Sequence, residues 1–319
     1  MAFDTLEPGL ATTVQDTGRP GYYNVGIPQG GSMDQLSAEM ANAIVGNTVH
    51  EAVLECTYIG PKLRTTAPTV VAVTGAPVDV FVNGEPRDQW TRLELAADDV
   101  LSFGIIKGGT RYYLAVAGGV DVPVVLGSRS SYVLGAVGGF EGRALKAGDR
   151  VQVGTAVRTG GLAGILPELR PTYLKQLDVR VLLGLYDHRL TDVGLETLLT
   201  ATWKLTSVAD RMGLRYSGPE VEWKPRKQPF GAGSDPSNIV DAGYAVGSIQ
   251  IPGGKEPIVL HRDAVSGGGY AMVATVISAD MDLLARSAPG TATRFRAVTM
   301  DEALAARGEL AAVRAAIWG

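Results

Sequence analysis

Apolar positions in this chain fall into short runs rich in Val, Ile, Leu and Thr, broken by Gly, Pro, Asn and Asp. Runs of that kind read as short strands joined by tight turns. They predict strands at 12–15, 52–57, 69–74, 78–82, 179–183, 248–251, 257–261 and 272–277. Asn83-Gly84 between two such runs is a strong short-range hairpin signal, so 78–82 should pair with the segment after Glu85. Helical spacing appears in three places. Leu36, Met40, Ile44 and Val45 line one face of a helix, with Ser32 or Asp34 as its cap and Gly46-Asn47 as its end. A second helix is expected near 192–201, and the Ala-rich 301–318 is helical by propensity. The polar, Pro-containing stretch 217–238 reads as a long loop.

The pattern repeats itself. Leu95-Ala96-Ala97-Asp98-Asp99-Val100-Leu101 resembles Leu145-Lys146-Ala147-Gly148-Asp149-Arg150-Val151, with a fainter echo at Ala288-Pro289-Gly290-Thr291. Each is a turn delivering an alternating strand. Gly108-Gly109-Thr110-Arg111-Tyr112 is likewise echoed by Gly268-Gly269-Tyr270, both ahead of an apolar run. The echoes imply two related β halves, at 1–160 and 178–300, with a connecting segment at 161–177 and a C-terminal helix at 301–319. The 41 glycines are spread along the chain rather than gathered in a linker, which favours a mainly β barrel or sandwich with a few helices.

Composition narrows the function classes. A net charge of −4 without a basic run argues against nucleic-acid binding. The apolar runs are too short to span a bilayer, and the first residues lack a secretory signal pattern, so a cytoplasmic location is the expectation. One cysteine, Cys56, excludes an internal disulfide, and His50, His188 and His261 lie too far apart to suggest a His metal cluster, so no metal is expected. Neither a Walker GxxxxGK[ST] nor a GxSxG elbow occurs.

Candidate chemistry lies at element ends. Asp16, Arg19, Ser32 and Asp34 flank the 9–34 turns, where capping residues also sit. Arg129 stands among Ser128, Ser130, Ser131 and Tyr132, and could grip a carboxylate or phosphate or simply be a solvated loop residue. Asp210 and Arg211 offer an ion pair or a capped turn. The stretch 241–278 holds Gln250 in a strand, then Asp263, Ser266, three glycines at 267–269 and Tyr270. That loop is either a floor of backbone N–H groups around a ligand or a plain turn.

TTVQDTGRPGY at 12–22, GGSMD at 30–34, YYLAVAGGVDVPVVLGSRSSY at 112–132, GRALKAGD at 142–149, ADRMG at 209–213 and GSIQIP through ATVIS at 247–278 carry a resemblance. They resemble the biotin-dependent carboxyltransferase domain family. It includes KipA, the C-type component of bacterial 5-oxoprolinase and part of urea carboxylase, and its members are often labelled allophanate hydrolase subunit 2. The resemblance implies two cyclophilin-like β-barrel halves. It also implies a KipI-like subunit 1 partner, a large 5-oxoprolinase A-type subunit and a small-molecule substrate.

Three activities follow from the resemblance: ATP-dependent opening of 5-oxo-L-proline to L-glutamate, carboxyl transfer from a biotin carrier, and a KipA-type regulatory role. In the first, ATP with Mg2+ is co-substrate of the complex. Arg19, Arg129 and the amides of Gly267, Gly268 and Gly269 would be the donors, and Asp16, Asp210 or Asp263 the general base. Ser32, Asp34, Ser130, Tyr132, Arg211, Gln250, Ser266 and Tyr270 would bind substrate. A Met-Lys biotinyl carrier motif is missing from this sequence, so biotin would be carried by another protein. The family pattern Asp-x-Gln-Thr-Thr-Gly-Gly-Tyr is altered here to Asp263-Ala264-Val265-Ser266-Gly267-Gly268-Gly269-Tyr270. Valine cannot make the glutamine's hydrogen bonds.

Overall fold

The computed structural model describes residues 1–156 and 160–318. Residues 157–159, inside the expected first half, and 319, the end of the expected last helix, lie outside it. The chain divides into two units. One comprises Met1–Arg19, Gly30–Tyr173 and Val313–Gly319, and the other Pro20–Gln29 and Leu174–Ala312.

In the first unit the strands are β1 (Ala2–Glu7), β2 (Ala11–Gln15), β3 (Val53–Thr57), β4 (Lys62–Thr65), β5 (Thr69–Gly75), β6 (Val80–Val82), β7 (Glu85–Arg87), β8 (Leu93–Leu95), β9 (Val100–Phe103), β10 (Arg111–Val116) and β11 (Arg150–Gln152). They form a six-stranded sheet, β11-β1-β4-β9-β6-β7, and a five-stranded sheet, β2-β3-β10-β5-β8. One apolar core takes side chains from both, among them Phe3, Leu63 and Leu101 from the first and Val14, Leu54 and Leu114 from the second. Asn83-Gly84 joins β6 to β7, with Asn83 at φ 53 and Gly84 at φ 84, as a tight hairpin requires.

Helix α1 (Gln35–Val45) packs on β5 and β10. Its cap is Asp34, whose carboxylate accepts from Ser37 N (3.2 Å) and Ser37 Oγ (2.6 Å). Gly46, at φ 78, ends it in the left-handed conformation. Leu36, Met40 and Ile44 are all buried, as their spacing predicts.

The second unit contains β12 (Gln176–Leu183), α2 (Asp192–Thr200), β13 (Trp203–Ala209), β14 (Gly213–Ser217), β15 (Asn238–Gly243), β16 (Ser248–Gln250), β17 (Ile258–Leu260), β18 (Gly267–Tyr270), β19 (Met272–Val276), α3 (Met281–Ala285), β20 (Ala292–Ala297) and the part of α4 (Met300–Trp318) up to Ala312. Seven strands close a barrel in the order β12-β19-β16-β17-β14-β13-β20. The closing pair β12–β20 is parallel, with Val179 opposite Phe295. Trp203 fills the interior and donates from Nε1 to Leu198 O at 3.0 Å. Tyr216 meets Phe295 edge-on at 5.7 Å. Truncating a buried aromatic of this kind costs about 3–5 kcal/mol. The protein is thus mainly β with a closed barrel, as expected. The barrel is the second half, whereas the first half is a pair of sheets.

The sequence echoes have a shared stereochemical cause. Asp98, Gly148 and Gly290 occupy the same turn position at φ 66, 90 and 93. One residue later, Asp99, Asp149 and Thr291 each turn a side chain back to the amide three residues before, on Ala96 (2.7 Å), Lys146 (2.7 Å) and Ala288 (3.2 Å). Each turn also exchanges two backbone hydrogen bonds with a neighbouring strand, through Thr65, Thr5 and Leu205. A positive-φ residue followed by a short side-chain acceptor therefore sets the same turn in all three places.

The second echo behaves differently. The composition of Gly267–Tyr270 predicts a loop, yet the segment is strand β18, paired with β15 as a two-stranded arm apart from the barrel. Its glycines are not there for positive φ. A β-carbon on Gly268 would lie 3.2 Å from the Tyr244 ring, and one on Gly267 would lie 3.0 Å from Ala242 O. Close approach selects glycine here.

Candidate functional site

In the first unit, the turn after β2 meets the serine-rich segment. Asp16 is half-buried. Its Oδ1 accepts from Gly18 N (2.8 Å), Ser128 Oγ (2.6 Å) and Ser130 Oγ, and its Oδ2 accepts from Arg129 N (2.6 Å). Its own amide donates to Ser130 Oγ (2.9 Å). Arg19 is buried and donates from Nη2 to Ser130 O and from Nε to Val125 O (3.5 Å). Gly138, at φ 66, makes room for it, because a β-carbon there would come within 2.6 Å of Nη2. The sequence-predicted Asp16, Arg19, Arg129 and Ser130 therefore do meet. They meet as a clamp between two loops, with both oxygens of the carboxylate engaged by donors of this chain.

The other candidates of this unit surround the clamp. Ser32 N donates to Asp16 O (2.9 Å), while Ser32 Oγ is buried without a hydrogen-bond partner beside a water-sized void of about 10 Å³ that Asp16, Gln35 and Glu39 also line. Asp34 is the α1 cap and receives no donor from the clamp among the bonds just given. Arg129 turns its side chain away, donating Nε to Val122 O (3.2 Å) at a cleft of about 290 Å³ shared with Glu51 and Asp121. Tyr132 pairs by its backbone with Val137.

In the second unit, Arg211 and Asp263 form a two-bond fork, with Nε to Oδ2 at 2.7 Å and Nη2 to Oδ1 at 2.9 Å, and Asp263 N donates to Arg211 O (2.8 Å). Both side chains are largely buried. Of the two readings open for Asp210, the structure selects the capped turn. It sits at the β13–β14 tip, where Oδ1 accepts from Met212 N (2.8 Å) and Gly213 N (3.1 Å). Asp210 is thus engaged by its own turn, next in sequence to the Arg211 that pairs with Asp263.

Ser266 O accepts from Tyr244 N, and the Tyr244 hydroxyl both accepts from Tyr270 N and donates to Tyr270 O, each at 2.8 Å. Val265 and Tyr270 project outward, at 47% and 44% exposure, so the altered position of the loop faces solvent rather than core. Gln250 is buried in the barrel wall opposite Ile258 and Met272.

Sequence reasoning missed two groups. Glu55 is buried, accepts from Met33 N (2.8 Å) and Tyr113 Oη (3.1 Å), and pairs with buried Arg111 at 3.5 Å. Tyr113 lies directly opposite Glu55 across β3–β10. Burial, and then the Glu55 and Asp34 charges, push the Tyr113 hydroxyl well above its usual range. Two opposite charges inside apolar runs were the available signal. Tyr186 and Arg189 are the second group. The guanidinium lies over the ring, 4.4 Å from its centroid. Among the described residues no cluster of three or more His, Cys, Asp or Glu is fit to hold a metal ion, and no helix is long and apolar enough to cross a membrane.

A mainly β chain with one closed seven-stranded barrel, carrying a clamp of Asp16 with serines and a glycine arm beside an Arg–Asp fork, defines a class that comparison with known proteins identifies. The carboxyltransferase domain, subdomain A and B, matches residues 25–297, and the chain belongs to that family. It is 34% identical over 314 residues to a putative urea carboxylase of Emericella nidulans, covering 97% of this chain and 25% of that protein. It is 33% identical over 304 residues to the C-type component of the 5-oxoprolinase of Escherichia coli, covering 95% of this chain and 93% of that one. The crystal structure of Kluyveromyces lactis urea carboxylase superposes with a TM-score of 0.92 at 33% identity, over 99% of this chain and 29% of that chain. The chain thus spans about a quarter of the urea carboxylases it resembles.

Proposed function

We propose that this chain is one component of a multi-subunit enzyme acting on a small amide, and that it serves the ATP-dependent opening of 5-oxo-L-proline to L-glutamate. The observation that carries this reading is the match to the C-type component of 5-oxoprolinase over 93% of that protein: nearly all of it has a counterpart here. The companions are a KipI-like subunit 1 and a large A-type subunit, in the cytoplasm. A five-membered cyclic amide resists water until its carbonyl oxygen is phosphorylated, which is what ATP with Mg2+ supplies. This chain would then hold the substrate and stabilise charge on the oxygen. The Arg211–Asp263 fork and the β18 arm are the elements we assign to that task, with Arg211 and Asp263 as positioning residues. The nucleotide site is assigned to a companion, since Gly267–Tyr270 is a paired strand and does not open a helix onto a phosphate.

A second reading, carboxyl transfer from a biotin carried by another protein, draws on the TM-score of 0.92 to urea carboxylase. The two are separated by purifying the chain with its companion subunits and measuring glutamate and ADP together. Equimolar glutamate and ADP from 5-oxo-L-proline is the expected result. ADP formation that instead needs urea, bicarbonate and a biotinylated carrier, and stops with avidin, would replace the first reading by the second. A stable complex that turns over neither would point to the regulatory role.

A further inference from the structure

Several of the arginines inside this protein are paired with acids. Arg111, Arg180, Arg211 and Arg262 each face a carboxylate, at 3.5, 2.6, 2.7 and 3.8 Å. Arg189 does not. It ends a 3-10 turn, Asp187–Arg189, and its guanidinium lies over the Tyr186 ring. One N–H reaches Asn238 O at 3.3 Å, a long bond, and Nε is buried with no acceptor. Glu222 accepts from Thr191 Oγ1 (2.9 Å), and Asp235 from Ser237 N and Oγ. Arg226, on the exposed 224–227 stretch, is a second cation whose field opposes the Arg189 charge. Lys224 ties that stretch down by donating from its amide to Arg189 O (2.9 Å) and from Nζ to His188 O (3.0 Å). Burial, and then Arg226, lower the hold of Arg189 on its proton. Two cations brought together, one half-buried with a donor unmet, are costly unless an anion completes them.

The place fits a ligand rather than an accident of the surface. Tyr186 packs against the cluster of Tyr244, Leu260, Ala264 and Met272, and the Tyr244 ring underlies Gly268 of the β18 arm. Asn238, which takes the Arg189 bond, begins β15, the other strand of that arm. The cation pair therefore sits at the foot of the element the proposed function assigns to the substrate. We propose that Arg189, oriented by Tyr186 and assisted by Arg226, is the binding subsite for a carboxylate on a small amide substrate. The guanidinium edge offers parallel N–H donors that match the two oxygens of a carboxylate, while Tyr186 covers its face. Naming the ligand as a carboxylate-bearing cyclic amide rests on the oxoprolinase reading; the carboxylate subsite itself does not. Urea has no carboxylate to place there.

Calorimetric titration of the full chain tests this, comparing 5-oxo-L-proline with 2-pyrrolidinone, the same ring without its carboxylate. The expected result is binding of 5-oxo-L-proline at least about tenfold tighter, roughly the contribution of one charge-assisted contact. That advantage should vanish in Arg189→Ala, persist in part in Arg189→Lys and shrink in Arg226→Ala. Arg226 is exposed, so its variant keeps the test decisive if Arg189→Ala melts early. Equal binding of the two rings, or an advantage untouched by all three substitutions, overturns the subsite. Arg189-dependent binding of acetate as tight as that of 5-oxo-L-proline keeps the carboxylate subsite and removes 5-oxo-L-proline as its substrate. Arg189-dependent binding of inorganic phosphate in preference to either carboxylate overturns the assignment.

Discussion

Asp16 in the first unit and Arg189 in the second are both half-buried charges at the ends of regular elements, and the chain treats them in opposite ways. Asp16 is met by two serine hydroxyls and two amides, so its charge is used up in joining two loops. Arg189 is given an aromatic face and one long bond to a carbonyl, with a second cation for company. A charge satisfied within the chain is architecture, however suggestive its neighbours look in sequence. A charge left incomplete is where something else can bind. Serines beside an aspartate therefore say less about chemistry than a lone arginine without a carboxylate.

Glu55→Ala would leave the buried Arg111 guanidinium without its carboxylate, at a cost of about 3–5 kcal/mol. The denaturant midpoint measures this, and a loss below about 1 kcal/mol would mean the pair is not closed in solution. Asp16→Ala strands several donors at once and should cost about 1–3 kcal/mol while leaving ligand binding at Arg189 unchanged. A loss of binding with no loss of stability would reverse the roles given to the two regions.

A smaller effect comes from Asp149, whose carboxyl the Arg143 guanidinium holds below its ordinary range. A lowered carboxyl stabilises the fold above its unfolded value of about 3.9 and loses that contribution as pH falls through the folded value. Asp149→Asn should therefore flatten the acid limb of the stability profile, by up to about 1 kcal/mol. Val265→Gln adds an amide at an exposed position of the glycine segment and should move stability by less than about 0.5 kcal/mol. Turnover by the proposed complex is expected to rise with it; unchanged turnover would show that the segment works without the glutamine of the pattern it resembles.

Local rules carried much of the fold. Asp34 and Gly46 bound α1 by their own chemistry, Asn83-Gly84 makes its hairpin, and the three echoed turns share one backbone conformation. Strand β18 was hidden because glycine has little intrinsic preference for a strand, and because its partner β15 lies across an intervening barrel hairpin. The first unit became two sheets through the non-local pairing of β1 with β11 and β4, which no short window contains. At the site, Arg211 and Asp263 were legible as polar residues in turns, but their pairing across fifty-two positions was not. Arg189 carried no motif, and what distinguishes it is a guanidinium set on an aromatic ring with its Nε left without an acceptor, which only three-dimensional neighbours reveal.

The hydroxyl of Tyr244 occupies both the N–H and the C=O of Tyr270, as the backbone of an adjoining strand would. One phenol thus stands in for a third strand at the end of the β15–β18 ribbon. Exposed ribbon edges invite pairing with other molecules and, at high concentration, aggregation. The side chain blunts that edge without adding chain length, and it leaves the ribbon narrow. Tyr244→Phe would keep the ring under Gly268 and free both groups of Tyr270, turning a guarded end into an adhesive one.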